Sequence, residues 1–97
     1  MLNLELLRQK REEILKIAAK HGAYNVRVFG SVARGEADEK SDIDFLIDYE
    51  IQKITPWFPV RLIRELENLL GEKVDVVTAD GLKERIKERV LQEAINL

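Results

Sequence analysis

The chain has 97 residues, 45% hydrophobic and 35% charged, with 16 Lys and Arg against 18 Asp and Glu for a net charge of −2. That supports one small core and excludes an enzyme with its own large substrate-binding domain, so a single domain over residues 1–97 is expected. Direct binding of duplex DNA is not expected either, because phosphate neutralisation draws on a surplus of Lys and Arg that this balance lacks.

Cysteine is absent, which removes disulfides, thiolate metal sites and a cysteine nucleophile. No apolar run reaches membrane-spanning length. The first residues, Met1 to Glu5, read as the start of an amphipathic helix and lack the apolar block of a signal peptide. The expectation is a cytoplasmic protein with no membrane partner.

Leu4, Leu7, Ile14, Leu15 and Ala18 fall near helical spacing and predict one helix over 3–20, ended by Gly22. Residues 24–29 (YNVRVF) read as a strand. Residues 31–34 form a short helix stopped by Gly35, and 36–41 a polar loop. Ile43, Phe45 and Ile47 alternate with Asp42, Asp44, Leu46 and Asp48, which predicts a second strand over 42–48. Pro56 and Pro59 precede a helix carried by Leu62, Ile63, Leu66, Leu69 and Leu70 to Gly71. Residues 73–78 (KVDVVT) read as a third strand. Asp80 is positioned to cap a last helix whose stripe is Leu82, Ile86, Val90, Leu91 and Ile95. Three strands among helices suit an α/β or α+β domain.

The densest chemical signal is Gly30-Ser31, then ten residues, then Asp42-Ile43-Asp44. Gly30 stands where a strand hands over to a helix, and glycine there lets the backbone approach a ligand. The free N–H groups of the next helix, with the Ser31 hydroxyl, suit the phosphates of a nucleotide. A plain turn with Ser31 as helix cap would use the same residues, and there is no Gly-Lys-Ser/Thr ending of a P-loop. Asp42 and Asp44, two apart on a strand, project to one side. Paired hard oxygens beside a polyphosphate suit Mg²⁺, which takes one or two carboxylates plus phosphate oxygens. A solvent-facing strand would also show alternating polar residues, but Asp is a poor strand former. Asp75, inside Val74-Asp75-Val76-Val77, is costly unless solvated, paired or at a site. Beside the second strand it would complete a carboxylate triad as metal ligand or as base.

The wider text NVRVFGSVARGEADEKSDIDFLID, with VDVVT and the closing RIKERVLQEAINL, resembles the minimal nucleotidyltransferase (MNT) family of the polymerase-β-type superfamily. The resemblance runs from about Ile14 to Leu97. It implies a small mixed β-sheet with flanking helices, ATP as nucleotide donor with Mg²⁺, and catalytic, metal-holding carboxylates at Asp42, Asp44 and Asp75. It places Gly30 and Ser31, with Arg34 beside them, at the nucleotide phosphates. It also implies an antitoxin that transfers AMP onto a tyrosine of a HEPN-domain RNase toxin. Two other readings stay open: an antitoxin that neutralises by binding alone, and a transferase acting on a small molecule or nucleic-acid end with a partner subunit.

Other residues take structural readings. Arg34 can touch a phosphate or pair with Glu36 or Asp38. His21 ends a helix. Trp57 and Phe58, between two prolines, are expected in the core or in helix packing, while an exposed aromatic pair there would suit a partner anchor. Lys83, Arg85, Lys87 and Arg89, interleaved with Glu84 and Glu88, read as a solvated face with i,i+4 pairs. The connector 51–59 departs from the family's usual text.

Overall fold

The computed structural model describes residues 3–97. Met1 and Leu2, read from sequence as part of the amphipathic start, lie outside the described residues. The Asn3 side chain accepts from the Leu6 N–H at 2.9 Å and caps α1, Leu4–Gln9. The single helix expected over 3–20 is divided: α2 runs Arg11–Lys20, and Lys10 sits between the two at φ −100° and ψ 14°. Arg8 to Glu13 are all polar, so no apolar contact holds one helix across this point, and Leu7 and Ile14 are buried from separate segments. Gly22, at φ +81°, closes α2 as its spacing predicts.

Strand β1 is Ala23–Phe29, followed directly by the short helix α3, Gly30–Arg34, which Gly35 ends in the left-handed region. The polar loop leads to β2, Ile43–Tyr49, one residue off the expected 42–48 at each end. Helix α4, Val60–Leu70, begins after Pro59, and β3, Val74–Thr78, follows. A 3₁₀ turn, Ala79–Gly81, precedes α5, Glu84–Glu93. Asp80 does not cap α5: Lys83 holds that position without a side-chain bond, and the Asp80 carboxylate accepts from the Tyr49 hydroxyl at 2.8 Å. That bond holds Asp80 below its ordinary pKa. Nor does the last helix extend to Ile95. Ala94 turns extended and Ile95–Asn96 forms a fourth strand, β4.

The sheet order is β3-β2-β1-β4. β2 pairs parallel with β3, while β1 pairs antiparallel with both β2 and β4, so the sheet is mixed as expected but one strand wider. Alternation along β2 turns Ile43, Phe45 and Ile47 to one face, where they join Val74, Val76, Val28, Ile14, Leu62, Leu66 and Leu70 in the main core. On the opposite face Leu46 is also fully buried, which the expected polar face does not foresee. A bulge interrupts β1 between Tyr24 and Arg27, where Asn25 takes φ 51°. Asn25 and Arg27 both hold Asp48, at 2.8 and 3.4 Å.

His21 ends α2 and its Nε2 lies 2.9 Å from Glu65 on α4, clipping two helices together. Phe58 packs against the core and tilts on Tyr49 with ring centroids 5.6 Å apart. Trp57 does not join it: the residue is 64% exposed, because the turn before α4 points it outward together with Ile51 and Val60. Lys83, Arg85, Glu88 and Arg89 are exposed as expected, but among the described residues no ion pair closes along that face. Among the described residues no helix is long and apolar enough to cross a membrane.

Leu66 is 2% exposed on the core side of α4. Leu66→Ala is expected to lower stability by about 2–5 kcal/mol, read as a shift in the urea midpoint with an unchanged slope.

Candidate active site

Two strand registers assemble the site. Phe29 lies opposite Asp44 across the antiparallel β1–β2 pair, so the chain leaving β1 turns through Gly30 and Ser31 beside that carboxylate. Asp44 lies opposite Asp75 across the parallel β2–β3 pair, and in-register residues share a face. Asp42, two residues before Asp44, precedes the strand and is exposed. The structure therefore brings Gly30, Ser31, Asp42, Asp44 and Asp75 together at one end of the sheet.

Gly30 sits at φ +75°, and a Cβ there would collide with the Asp44 Oδ2. Glycine is needed twice over, for the left-handed backbone and for the close approach. Phe29, not Ser31, is the N-cap residue of α3, and no side chain caps that end. Ser31 lies inside the first turn, so the plain-turn reading, with its hydroxyl spent on a cap, does not hold.

Burial, followed by the negative charges of Asp75 and Asp42, pushes the Asp44 carboxyl up to about 6; Arg34 opposes this and Glu93 adds to it. Among the described residues none of Asp42, Asp44 and Asp75 forms a salt bridge. No three acidic or histidine side chains among the described residues converge closely enough to cage a metal alone. Mutually repelling, unpaired oxygens without a full cage fit a hard divalent cation whose remaining ligands come from elsewhere, such as phosphate oxygens.

Arg34 stands apart from this set of acids. Its Nε donates to Glu36 at 3.0 Å and its Nη1 to Glu93 on α5, and the two carboxylates hold it above its ordinary pKa. The Glu36 partner is one the sequence offered. Glu93, 59 positions away, is not, and no local spacing could have signalled it. Two open grooves flank this region, the first reaching the cluster at Asp42 and the second lying on the Arg34 side. One, of about 620 Å³, is lined by Ser41, Asp42, Glu67 and Lys73 among others; the second, of about 660 Å³, by Arg34, Arg89, Gln92 and Glu93.

Two outcomes follow. Gly30→Ala is expected to cost about 1–3 kcal/mol, seen as a lower thermal midpoint, because it strains the backbone and drives a methyl into Asp44. Asp44→Asn is expected to stabilise the metal-free protein. With the folded pKa raised from 3.8 to about 6, the favourable contribution is complete below 3.8 and lost as pH rises through about 6. The variant should thus exceed the parent by about 1 kcal/mol at neutral pH, after discounting for solvent screening, and lose that advantage in acid. Denaturation midpoints at both pH values measure it.

Residues 8–97 match the family described as Nucleotidyltransferase domain. The protein adenylyltransferase MntA of Thermococcus cleftensis is 40% identical over 93 residues, covering 87% of this chain and 92% of its own length. A Methanocaldococcus jannaschii protein named as a protein adenylyltransferase is 40% identical over 87 residues, covering 90% of this chain and 92% of its own. A solved structure named as a minimal nucleotidyltransferase superposes at a TM-score of 0.85 with 52% identity, covering 99% and 97% of the two chains. A toxin–antitoxin crystal structure with AMP-PNP shares the fold at a TM-score of 0.71 and 19% identity, over 91% of this chain and 69% of that one. This chain belongs to the nucleotidyltransferase domain family, as a minimal nucleotidyltransferase.

Proposed function

We propose that the chain, acting as one unit over residues 1–97, transfers AMP from ATP to a tyrosine hydroxyl of a HEPN-domain RNase toxin and so serves as its antitoxin in the cytoplasm. The observation that carries this is the alignment of Asp44 with Asp75 beside the Gly30 turn. The naming of its relatives as protein adenylyltransferases, and a toxin–antitoxin structure with AMP-PNP among its fold neighbours, support the choice of donor and acceptor.

In this reading the N–H groups at the uncapped start of α3 and the Ser31 hydroxyl bind the triphosphate. Asp42 and Asp44, with Asp75, would hold Mg²⁺, which would offset phosphate charge and make the incoming hydroxyl more acidic. Gly30 lets the Asp44 carboxylate lie against the backbone of the turn that takes the phosphates. Asp75, exposed and unpaired among the described residues, accepts the acceptor's proton. The acceptor oxygen bonds to the α-phosphorus, the α–β bridging bond breaks, and pyrophosphate leaves in line.

Incubating the chain and its HEPN partner with ATP and Mg²⁺ should raise the partner's mass in AMP-sized steps. Asp42→Asn with Asp44→Asn should cut that transfer by roughly a hundredfold or more while leaving the circular dichroism spectrum folded. Neutralisation of the partner with no mass gain, indifferent to those substitutions, would overturn the proposal in favour of binding alone. Mg²⁺ should also raise the thermal midpoint of the parent and not of the doubly substituted protein, and chelation should reverse the gain.

A further inference from the structure

We propose that Glu93 is a positioning residue, holding the Arg34 guanidinium at the edge of the phosphate loop so that its remaining N–H groups face the polyphosphate of the donor nucleotide. This rests on the nucleotide reading given above. Arg34 is the last residue of α3, about one helical turn beyond Ser31, so its side chain starts beside the turn that would take the phosphates. It is held from two sides, by Glu36 in the following loop and by Glu93 near the end of α5. The two carboxylates differ in kind. The Glu36 side chain is 65% exposed, whereas the Glu93 side chain is 18% exposed and belongs to a helix anchored by buried Val90.

A guanidinium has five N–H donors in a rigid fork. Glu36 engages Nε and Glu93 engages Nη1, one donor each, which leaves three for an anion. A free arginine gives up rotamer entropy when it binds; one already clamped gives up less. The clamp does not cancel the attraction, because the fork stays charged and the Arg34 side chain, 47% exposed, lines the second groove. Arg89, one turn before Glu93 on α5, lines the same groove and has no salt bridge among the described residues. The groove thus presents two cations, one fixed and one free.

Two other roles for the contact predict different results. As a mere clip between α3 and α5, Glu93 would affect stability alone. As a competitor for Arg34, it would weaken nucleotide binding, and its removal would tighten it. The test measures the Kd for ATP with Mg²⁺ by titration calorimetry, and KM and kcat for AMP transfer, in the parent, Glu93→Gln, Arg34→Gln and the double variant. Glu93→Gln should raise Kd and KM roughly five- to tenfold, the loss falling on these rather than on kcat. On an Arg34→Gln background it should add no further loss, and Glu93→Asp should restore part of the affinity. An unchanged or lower Kd in folded Glu93→Gln protein, or an effect that persists without Arg34, overturns the proposal. If the parent binds no ATP, this inference and the nucleotide reading fail together. If it binds ATP but modifies no protein, the transfer reading fails and the Kd comparison still decides the role of Glu93.

Discussion

Burial of Ile43, Phe45 and Ile47 on one side of β2 dictates where the acids on its other side stand. These three side chains are essentially sealed from solvent in the middle of the main core. A slip of one residue would put Asp44 and Leu46, with either Asp42 or Asp48, in their place, so the register is enforced by the whole core. β1 and β3 pair with β2 in that register, and Asp44 then has Phe29 on one flank and Asp75 on the other. The hydrophobic core and the candidate active site are two faces of one strand, and the first sets the geometry of the second.

The same strand shows two fates for the same residue type. Asp48, at the far end of β2, is held by Asn25 and Arg27 through the bulge in β1. There the fold neutralises its acid. Asp44 receives no such partner and lies between Asp42 and Asp75, half-buried, with its carboxyl pushed up to about 6. A chain selected only for stability would pair both. An acid cluster left electrostatically unsatisfied in a partly desolvated place is a common mark of a site that expects a cation. Arg34 reduces the local repulsion without resolving it, because Glu36 and Glu93 already hold it.

Much of this was legible in the sequence because it is local. The period of two in Asp42 to Asp48, the glycines at 22, 35 and 71 and the Gly-Ser to Asp-x-Asp spacing are all read within a few residues. What escaped is set by contacts between distant positions. The helix over 3–20 breaks at Lys10 because its apolar stripe lapses. Ile95 continues a helical stripe by spacing but finds a free edge of β1 opposite Val28, and becomes a strand. Asp80 is a fair helix cap by type, yet the Tyr49 hydroxyl reaches it first. Trp57 has the composition of a core residue, and only the path of the turn into α4 shows it facing water. Glu93 belongs to this group too: periodicity sees a helix end, and only the packing of α5 on α3 makes it a partner of Arg34.

The exposure of the site bears on how it could work. Asp42 and Asp75 are exposed, and the groove that reaches Asp42 is open. Phosphoryl chemistry gains from excluding water, since electrostatic stabilisation strengthens as the local dielectric falls and hydrolysis competes with transfer. Among the described residues no element lies over the acids to provide that cover. On the proposed reading the acceptor protein would supply it: its surface, once docked around the modified hydroxyl, would form the missing wall. Docking would then both position the acceptor oxygen and complete the environment in which Asp42, Asp44 and Asp75 act, so selectivity for the partner and efficiency of transfer would have one physical origin.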